Sequence, residues 1–135
     1  SAFRVFSVFG VGGLSAGGDV VWLDDESQID AVTAVSGSGP AYVFYLTEAL
    51  TAAAKVVGLP DETAERLAKA TVIGSARLMA ESAETPAELR RNVTTPNGTT
   101  AAALDVLMNG QTGFEPLTIR AVAAAKTRSE ELSRA

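Results

Sequence analysis

The sequence predicts an all-α fold, a helical bundle of about six helices joined by short connections. Three observations favour this class: alanine is abundant, the aromatic residues are only five Phe, two Tyr and one Trp, and apolar residues recur at helical spacing. Gly and Pro separate the successive helical segments. A chain of 135 residues is one domain, long enough to bury a core without disulfides or a structural metal.

The composition excludes several classes of chemistry. The chain has no cysteine and no histidine, so it offers no thiolate nucleophile, no cysteine metal site and no imidazole base, and we expect no metal. A net charge of −5 argues against nucleic acid as a partner. The apolar run at residues 20–23 is too short to span a membrane, and the first residues lack the layout of a secretory signal. We therefore expect a soluble, cytoplasmic protein.

The N-terminal segment is interpreted as a linker. Residues 3–9 are typical of a strand, and the glycine-rich residues 10–18 follow it. A strand ending in Gly-x-Gly also occurs in dinucleotide-binding loops, but such a loop needs a helix directly after it. The strand-like residues 19–23 arrive too soon to leave room for that helix. Residues 1–19 are therefore an unassigned linker or domain-junction segment, in which we expect no cofactor site.

The first helical segments surround a second glycine-rich turn. Acids at residues 24–26 precede a short helix predicted for residues 27–35, and we assign these acids no catalytic role. A long helix is then predicted from Pro40 to about Val57, with Gly58 and Pro60 ending it. Most of its circumference is apolar, which predicts burial on more than one side, either centrally or in a subunit interface. The turn before it consists of Ser36, Gly37, Ser38, Gly39 and Pro40.

Four further helices are predicted from their boundary residues. Asp61 is expected to cap a helix at residues 62–81, in which acids precede bases at four-residue spacing, at Glu62/Arg66 and Glu65/Lys69. Thr85-Pro86-Ala87-Glu88 is a capping box that predicts a short helix to about residue 92. The last two helices are predicted for residues 100–109, ended by Gly110, and from about residue 112 to residue 132.

Residues 93–100, Val93-Thr94-Thr95-Pro96-Asn97-Gly98-Thr99-Thr100, concentrate hydrogen-bond donors without carrying charge. Pro96 fixes φ for a turn, Asn97 tolerates a left-handed conformation, and Gly98 lets a ligand approach the backbone. Thr99 is expected to cap the following helix, with the Thr100 hydroxyl free in its first turn. Unpaired N–H groups at a helix N-terminus attract anions, so an anion site is one interpretation. An ordinary capped turn without a ligand is the other.

Two motifs together resemble pyrroline-5-carboxylate reductase. The first is Asp30-Ala31-Val32-Thr33-Ala34-Val35-Ser36-Gly37-Ser38-Gly39-Pro40-Ala41-Tyr42, and the second is Pro86-x-x-Leu89-x-x-x-Val93 continuing to Thr100. The family makes proline by transferring a hydride from NAD(P)H to the ring imine of pyrroline-5-carboxylate. The resemblance implies a two-domain enzyme, with an N-terminal Rossmann domain for NADP or NAD and a C-terminal helical domain that forms an interlocked dimer.

The resemblance covers residues 20–135, which it implies are the helical substrate-binding and dimerisation domain. The family's loop binds the substrate carboxylate through backbone N–H groups, and its last threonine lies close to the ring nitrogen. Thr100 is therefore the implied catalytic residue, and the family's segment matching residues 36–40 lies near the active site and dimer core. From the residues alone, that segment is only a helix start. The implied substrate site consists of Thr95, Pro96, Asn97, Gly98, Thr99 and Thr100.

Two departures from the family pattern limit what the resemblance implies. The family usually has Gly-Gly after the proline, whereas this chain has Asn97-Gly98, and asparagine tolerates the same backbone angles. Residues 1–18 do not match the family and are too short for its cofactor domain. We expect a chain that is inactive alone, lacks the cofactor domain, binds pyrroline-5-carboxylate or proline, and forms a homodimer or a larger ring.

Two other functions stay open at the level of sequence. One is a stand-alone helical dimerisation module without catalysis. The other is a related imine or β-hydroxyacid reductase, because a carboxylate loop says little about the rest of the substrate. The lack of histidine is consistent with a reductase, since hydride transfer to an electrophilic iminium depends on positioning more than on a strong base.

Overall fold

The computed structural model describes the backbone of residues 3–7 and residues 19–134, with side chains for residues 21–134. The predicted all-α class is confirmed, and the chain divides into two compact units. One unit contains the described parts of Ser1–Tyr42 together with Glu115–Ala135, and the other is Val43–Phe114. Within the described residues, no helix is long and apolar enough to cross a membrane.

A two-stranded ribbon precedes the helices. Strand β1, Phe3–Ser7, pairs antiparallel with β2, Asp19–Leu23, and Phe3 lies opposite Leu23. Both segments are rich in β-branched and aromatic residues, which favour extended backbone. A dinucleotide-binding unit instead needs parallel strands joined by a helix. The glycine-rich residues 10–18 themselves lie outside the described part of the chain.

The short helix predicted for residues 27–35 is present as helical turns but is not one uniform α-helix, because three kinds of turn follow one another at residues 26–37. These are a 3₁₀ turn at Glu26–Gln28, a single α-helical turn at Ile29–Val32 (α1), and a π-helical turn at Thr33–Gly37. The hydroxyls of Thr33 and Ser36 donate to the carbonyls four residues earlier, each at 3.0 Å. These bonds compete with the backbone for the same carbonyls and so disturb a regular helix.

Asp25 caps the 3₁₀ turn. Its Oδ1 atom accepts a hydrogen bond from the Ser27 amide at 2.9 Å. Hydrogen bonds from Ser27, the backbone amide first, lower the pKa of this fully exposed carboxyl from its usual 3.8. One acid of the triplet at residues 24–26 therefore caps a helical turn, and this structural role involves no ligand.

Helix α2 spans Gly39–Val56, and its predicted end is confirmed. Gly58 has φ +106°, a left-handed conformation that glycine adopts without strain. The amides of Gly58 and Leu59 donate to the carbonyls of Lys55 and Ala54, each at 3.0 Å. This pair of bonds is the Schellman motif, which satisfies the last carbonyls of a helix.

The remaining helices are α3, α4, α5 and α6. The predicted caps of α3 and α5 are wrong, and the cap of α5 is described with the candidate site below. Asp61 is the first residue of α3 rather than its cap, because the extended backbone of Pro60 already takes the cap position. Asp61 instead lies 3.8 Å from Lys55 in an exposed ion pair. In α4, by contrast, the predicted capping box is confirmed. The bounds are Asp61–Glu81 for α3, Pro86–Asn92 for α4, Thr99–Leu107 for α5 and Phe114–Ser133 for α6.

Helix α5 ends two residues before the predicted boundary. The Asn109 side chain accepts the amides of Gln111 and Thr112, at 2.9 and 3.0 Å, and this Asx turn leads the chain away from the helix axis. Gly113 then packs so closely that a Cβ atom there would lie 2.5 Å from the Asn109 carbonyl oxygen. Gly113, rather than the predicted Gly110, is therefore the glycine that this helix end requires.

Few of the side chains that the structure describes are buried. The buried hydrophobic residues among those described are Leu23, Ala34, Ala64 and Ala68. Helix α2 has no buried residue, so of its two predicted alternatives the central position is not observed in the described part of one chain. Its apolar side chains instead face outward, and Tyr45 is 71% exposed. A subunit interface stays a prediction for this helix.

Candidate carboxylate site

The connection between α4 and α5 is a tight turn. The Gly98 amide donates to the Thr95 carbonyl at 3.0 Å, which closes a four-residue β-turn over residues 95–98. Pro96 is its second residue, and Asn97 is its third with φ +61°. A positive φ at this position is the signature of a type II turn. The left-handed conformation predicted for Asn97 is confirmed, and no other non-glycine residue in the described ranges has a positive φ.

Gly98 closes the turn and begins the helix. Its backbone is extended, with φ −87° and ψ −174°, and it is the N-cap of α5. The prediction that Thr99 caps this helix is wrong, because the turn already brings Gly98 to the cap position. A Cβ atom on Gly98 would lie 3.1 Å from the Thr95 carbonyl oxygen. A side chain at this position would require the Thr95 carbonyl to shift by a few tenths of an ångström, a constraint that the sequence did not reveal.

The first turn of α5 presents unpaired amides. The Gly98 carbonyl accepts the Ala102 amide at 3.2 Å, which is the first hydrogen bond of the helix. The amides of Thr99, Thr100 and Ala101 precede that bond, and no side chain caps them. Across the ranges that the structure describes, these three N–H groups have no acceptor.

Three threonine hydroxyls lie beside these amides in the sequence. Thr95 and Thr99 are exposed, and Thr100 is half-buried as the second residue of α5. None of the three hydroxyls forms a hydrogen bond with another group in the described part of the chain. The predicted site residues 95–100 are therefore contiguous in one turn and one helix start, with both amide and hydroxyl donors available.

The electrostatics of this helix start favour an anion. Helix α5 has no acidic residue in its first turn, so that turn itself places no negative charge beside the unpaired amides. The partial positive charge of a helix N-terminus stabilises an exposed anion by roughly 0.3–1 kcal/mol. Uncharged donors of this kind at a helix start can bind a phosphate, a sulfate or a carboxylate.

The turn at residues 36–40 lies in the other compact unit and has a local structural role. Ser36 donates its hydroxyl to the Val32 carbonyl, and the Ser38 amide donates to the Thr33 carbonyl at 2.9 Å. Pro40 is the second residue of α2. Tyr42, from the first turns of α2, donates its hydroxyl to the Ala34 carbonyl at 2.7 Å. These bonds hold the π-helical turn against the start of α2.

Comparison with known proteins gives one family. Residues 26–132 match the family described as pyrroline-5-carboxylate reductase dimerisation. The chain is 55% identical over 120 residues to pyrroline-5-carboxylate reductase of Pseudomonas aeruginosa, covering 89% of this chain and 43% of that protein. It is 48% identical over 121 residues to the Corynebacterium melassecola enzyme of the same name, covering 90% and 44%.

Solved structures give the same result. The chain is similar to a pyrroline-5-carboxylate reductase from Coxiella burnetii, with a TM-score of 0.80, 46% identity, and coverage of 87% of this chain and 43% of that one. It is also similar to the Plasmodium falciparum pyrroline carboxylate reductase solved with NADP bound, with a TM-score of 0.73, 34% identity, and coverage of 79% and 40%. The chain thus spans less than half the length of these relatives.

Proposed function

Because the chain belongs to the pyrroline-5-carboxylate reductase dimerisation family, we propose that residues 20–135 are the substrate-binding and dimerisation domain of an enzyme that makes proline. The reaction is the reduction of 1-pyrroline-5-carboxylate. The observation that carries the proposal is the run of three unpaired amides at the start of α5, directly after the Pro96 turn.

The amides of Thr99, Thr100 and Ala101 would donate to the substrate carboxylate. The Thr95 hydroxyl is exposed and unbonded within the described ranges, so it can add a fourth donor. A carboxylate accepts several such bonds, and each bond to a charged group is worth about 1.5–3 kcal/mol. The loop therefore fixes one end of the ring and sets its orientation.

Thr100 would contact the reacting half of the substrate. Its hydroxyl would accept a hydrogen bond from the N–H of an iminium ring, or would relay a proton from water to the nitrogen of the neutral imine, giving up its own proton as it takes one from the water. The ring carbon is already electrophilic, so the protein's contribution is orientation rather than strong base chemistry. The absence of histidine from this chain is compatible with that role.

A reduced nicotinamide, NADPH or NADH, supplies the hydride in this reaction. The described residues do not fit a dinucleotide, since β1 and β2 are antiparallel neighbours rather than parallel strands joined by a helix. We propose that other residues of the full-length enzyme hold this cofactor.

A second copy of the chain would cover the exposed apolar side chains of α2. Phe44 is 68% exposed and Tyr45 is 71% exposed, and both are large aromatic residues of the kind enriched in protein interfaces. The family's description as a dimerisation domain supports a homodimer as the assembly. We further propose that the two copies interlock.

The test joins this chain to the N-terminal portion of the Pseudomonas aeruginosa relative and measures NADPH oxidation with pyrroline-5-carboxylate. We expect activity from the joined enzyme, and a loss of about ten-fold in kcat/KM for Thr100→Val, which removes one hydrogen bond. Thr63→Val is the matched control, because Thr63 is an exposed threonine in the first turn of α3. A folded, dimeric but inactive joined enzyme would instead favour a dimerisation module without catalysis.

A further inference from the structure

Two residues attach the loop that carries the carboxylate site to α4. The Val93 amide donates to the Arg90 carbonyl at 3.3 Å, and Thr94 adds a bond from its hydroxyl and one from its amide. The Thr94 hydroxyl donates to the Arg90 carbonyl at 2.6 Å, and the Thr94 amide donates to the Arg91 carbonyl at 3.1 Å. Thr94 is half-buried. Within residues 93–98, all of which are described, its side chain is the only one with a hydrogen bond.

The two hydrogen bonds of Thr94 lie at the C-terminal end of α4, where the loop begins. The last carbonyls of any helix have no partner inside it, and here Thr94 and the Val93 amide both donate to those of Arg90 and Arg91. Helix α4 has only seven residues, too few to be stable without its ends being held. Its first turn is held by the capping box, in which the Thr85 amide donates to Glu88 Oε2 at 2.7 Å. The Asn92 side chain also donates to Glu84 Oε2 at 2.9 Å.

Because Thr94 is next to the turn in sequence, its hydrogen bonds to α4 also restrict the orientation of the turn. Thr94 directly precedes Thr95, whose carbonyl accepts the bond that closes the turn. A change in the backbone of Thr94 rotates the Thr95 peptide and therefore the turn as a whole. The unpaired amides of α5 follow directly, since Gly98 is both the last turn residue and the helix cap.

We propose that Thr94 is the positioning residue of the carboxylate loop, an inference that rests on the proposed function. It touches no substrate, and it acts by holding the Thr95 to Gly98 turn at a fixed orientation to α4. Its loss disorders the donors for the carboxylate while leaving Thr100 chemically intact. The expected consequence is weaker substrate binding with little change in the rate of the bound complex.

The kinetic test uses the joined enzyme described above. Thr94→Val keeps the branched shape and the backbone amide but removes the hydroxyl, and we expect KM for pyrroline-5-carboxylate to rise about ten-fold with kcat within about two-fold. Thr94→Ser keeps the hydroxyl and should restore KM to within about two-fold of the unmodified value. Thr51→Val is the matched control, because the half-buried Thr51 makes the same kind of bond, to the Thr47 carbonyl at 2.8 Å in α2.

Amide hydrogen exchange in this chain gives a second reading that does not depend on activity. Thr94→Val should speed exchange of the Gly98 amide several-fold, because the turn that protects it loosens, whereas Thr51→Val should leave that amide unchanged. Unchanged KM and unchanged Gly98 exchange in Thr94→Val would overturn the positioning role alone. An unmodified joined enzyme without activity would overturn the proposed function instead, and the exchange result would still decide whether Thr94 holds the loop.

Discussion

A single backbone angle at Asn97 shapes the candidate site. Its φ of +61° lets Pro96 and Asn97 form a turn that delivers Gly98 to the start of α5. The residue types in this turn made that conformation predictable, because asparagine is one of the few residues that tolerate it. The cap was not predictable in the same way. Thr99 has the better capping side chain, but the turn hydrogen bond decides which residue is extended, and that residue is Gly98.

Substitutions at Asn97 test the turn at the scale of one residue. Asn97→Ala should destabilise the chain by about 1 kcal/mol, because a Cβ without a compensating polar group is unfavourable at positive φ. Asn97→Gly should be tolerated within about 0.5 kcal/mol, since glycine adopts this conformation freely but is more flexible when unfolded. Urea unfolding at a fixed protein concentration measures both. Equal stability of the Ala and Gly variants would contradict the left-handed turn.

At the scale of elements, boundary chemistry was more predictable than internal regularity. The capping box of α4 and the Schellman end of α2 follow from short residue patterns, and both are present. The π-helical turn before α2 was missed, because a run of small and hydroxyl residues is compatible with several kinds of helical turn. The bonds that select among them, such as Tyr42 to the Ala34 carbonyl, join residues on different elements.

The joint between α5 and α6 provides an element-scale prediction. Gly113→Ala should destabilise the chain by about 1–3 kcal/mol or more, because its Cβ would meet the backbone of Asn109, which has no room to yield. Gly110→Ala is the matched control, since nothing lies within 4 Å of the added Cβ. That control should be neutral or stabilising by up to about 1 kcal/mol. Similar unfolding midpoints for the two variants would show that this joint is not as tight as described.

At the scale of the whole molecule, the sequence pattern revealed the apolar surface of α2 but not what covers it. Helical periodicity predicts that a face is buried, but it does not show whether the surface that covers it belongs to the same chain. In the described residues of one chain, that face is exposed. The residue pattern alone was therefore compatible with a central helix and with an interface helix. The described residues of one chain do not show a central helix.

Light scattering tests the proposed dimer. We expect a dimer at micromolar protein concentration. Tyr45→Glu should raise the dissociation constant of the dimer by about thirty-fold or more, as for a buried aromatic residue in an interface. Gln111→Glu adds the same charge at an exposed position between α5 and α6 and should leave the dimer intact. A chain that is strictly monomeric without any substitution would contradict the interface on α2.

The most direct test of the carboxylate site follows backbone amides by NMR while proline is added to the isotope-labelled chain. We expect saturable shifts at the amides of Thr99, Thr100 and Ala101. Prolinamide, which has the same ring but no carboxylate, should leave those amides unchanged. Proline that shifts none of the three amides, or prolinamide that shifts them equally, would contradict a carboxylate site at the start of α5.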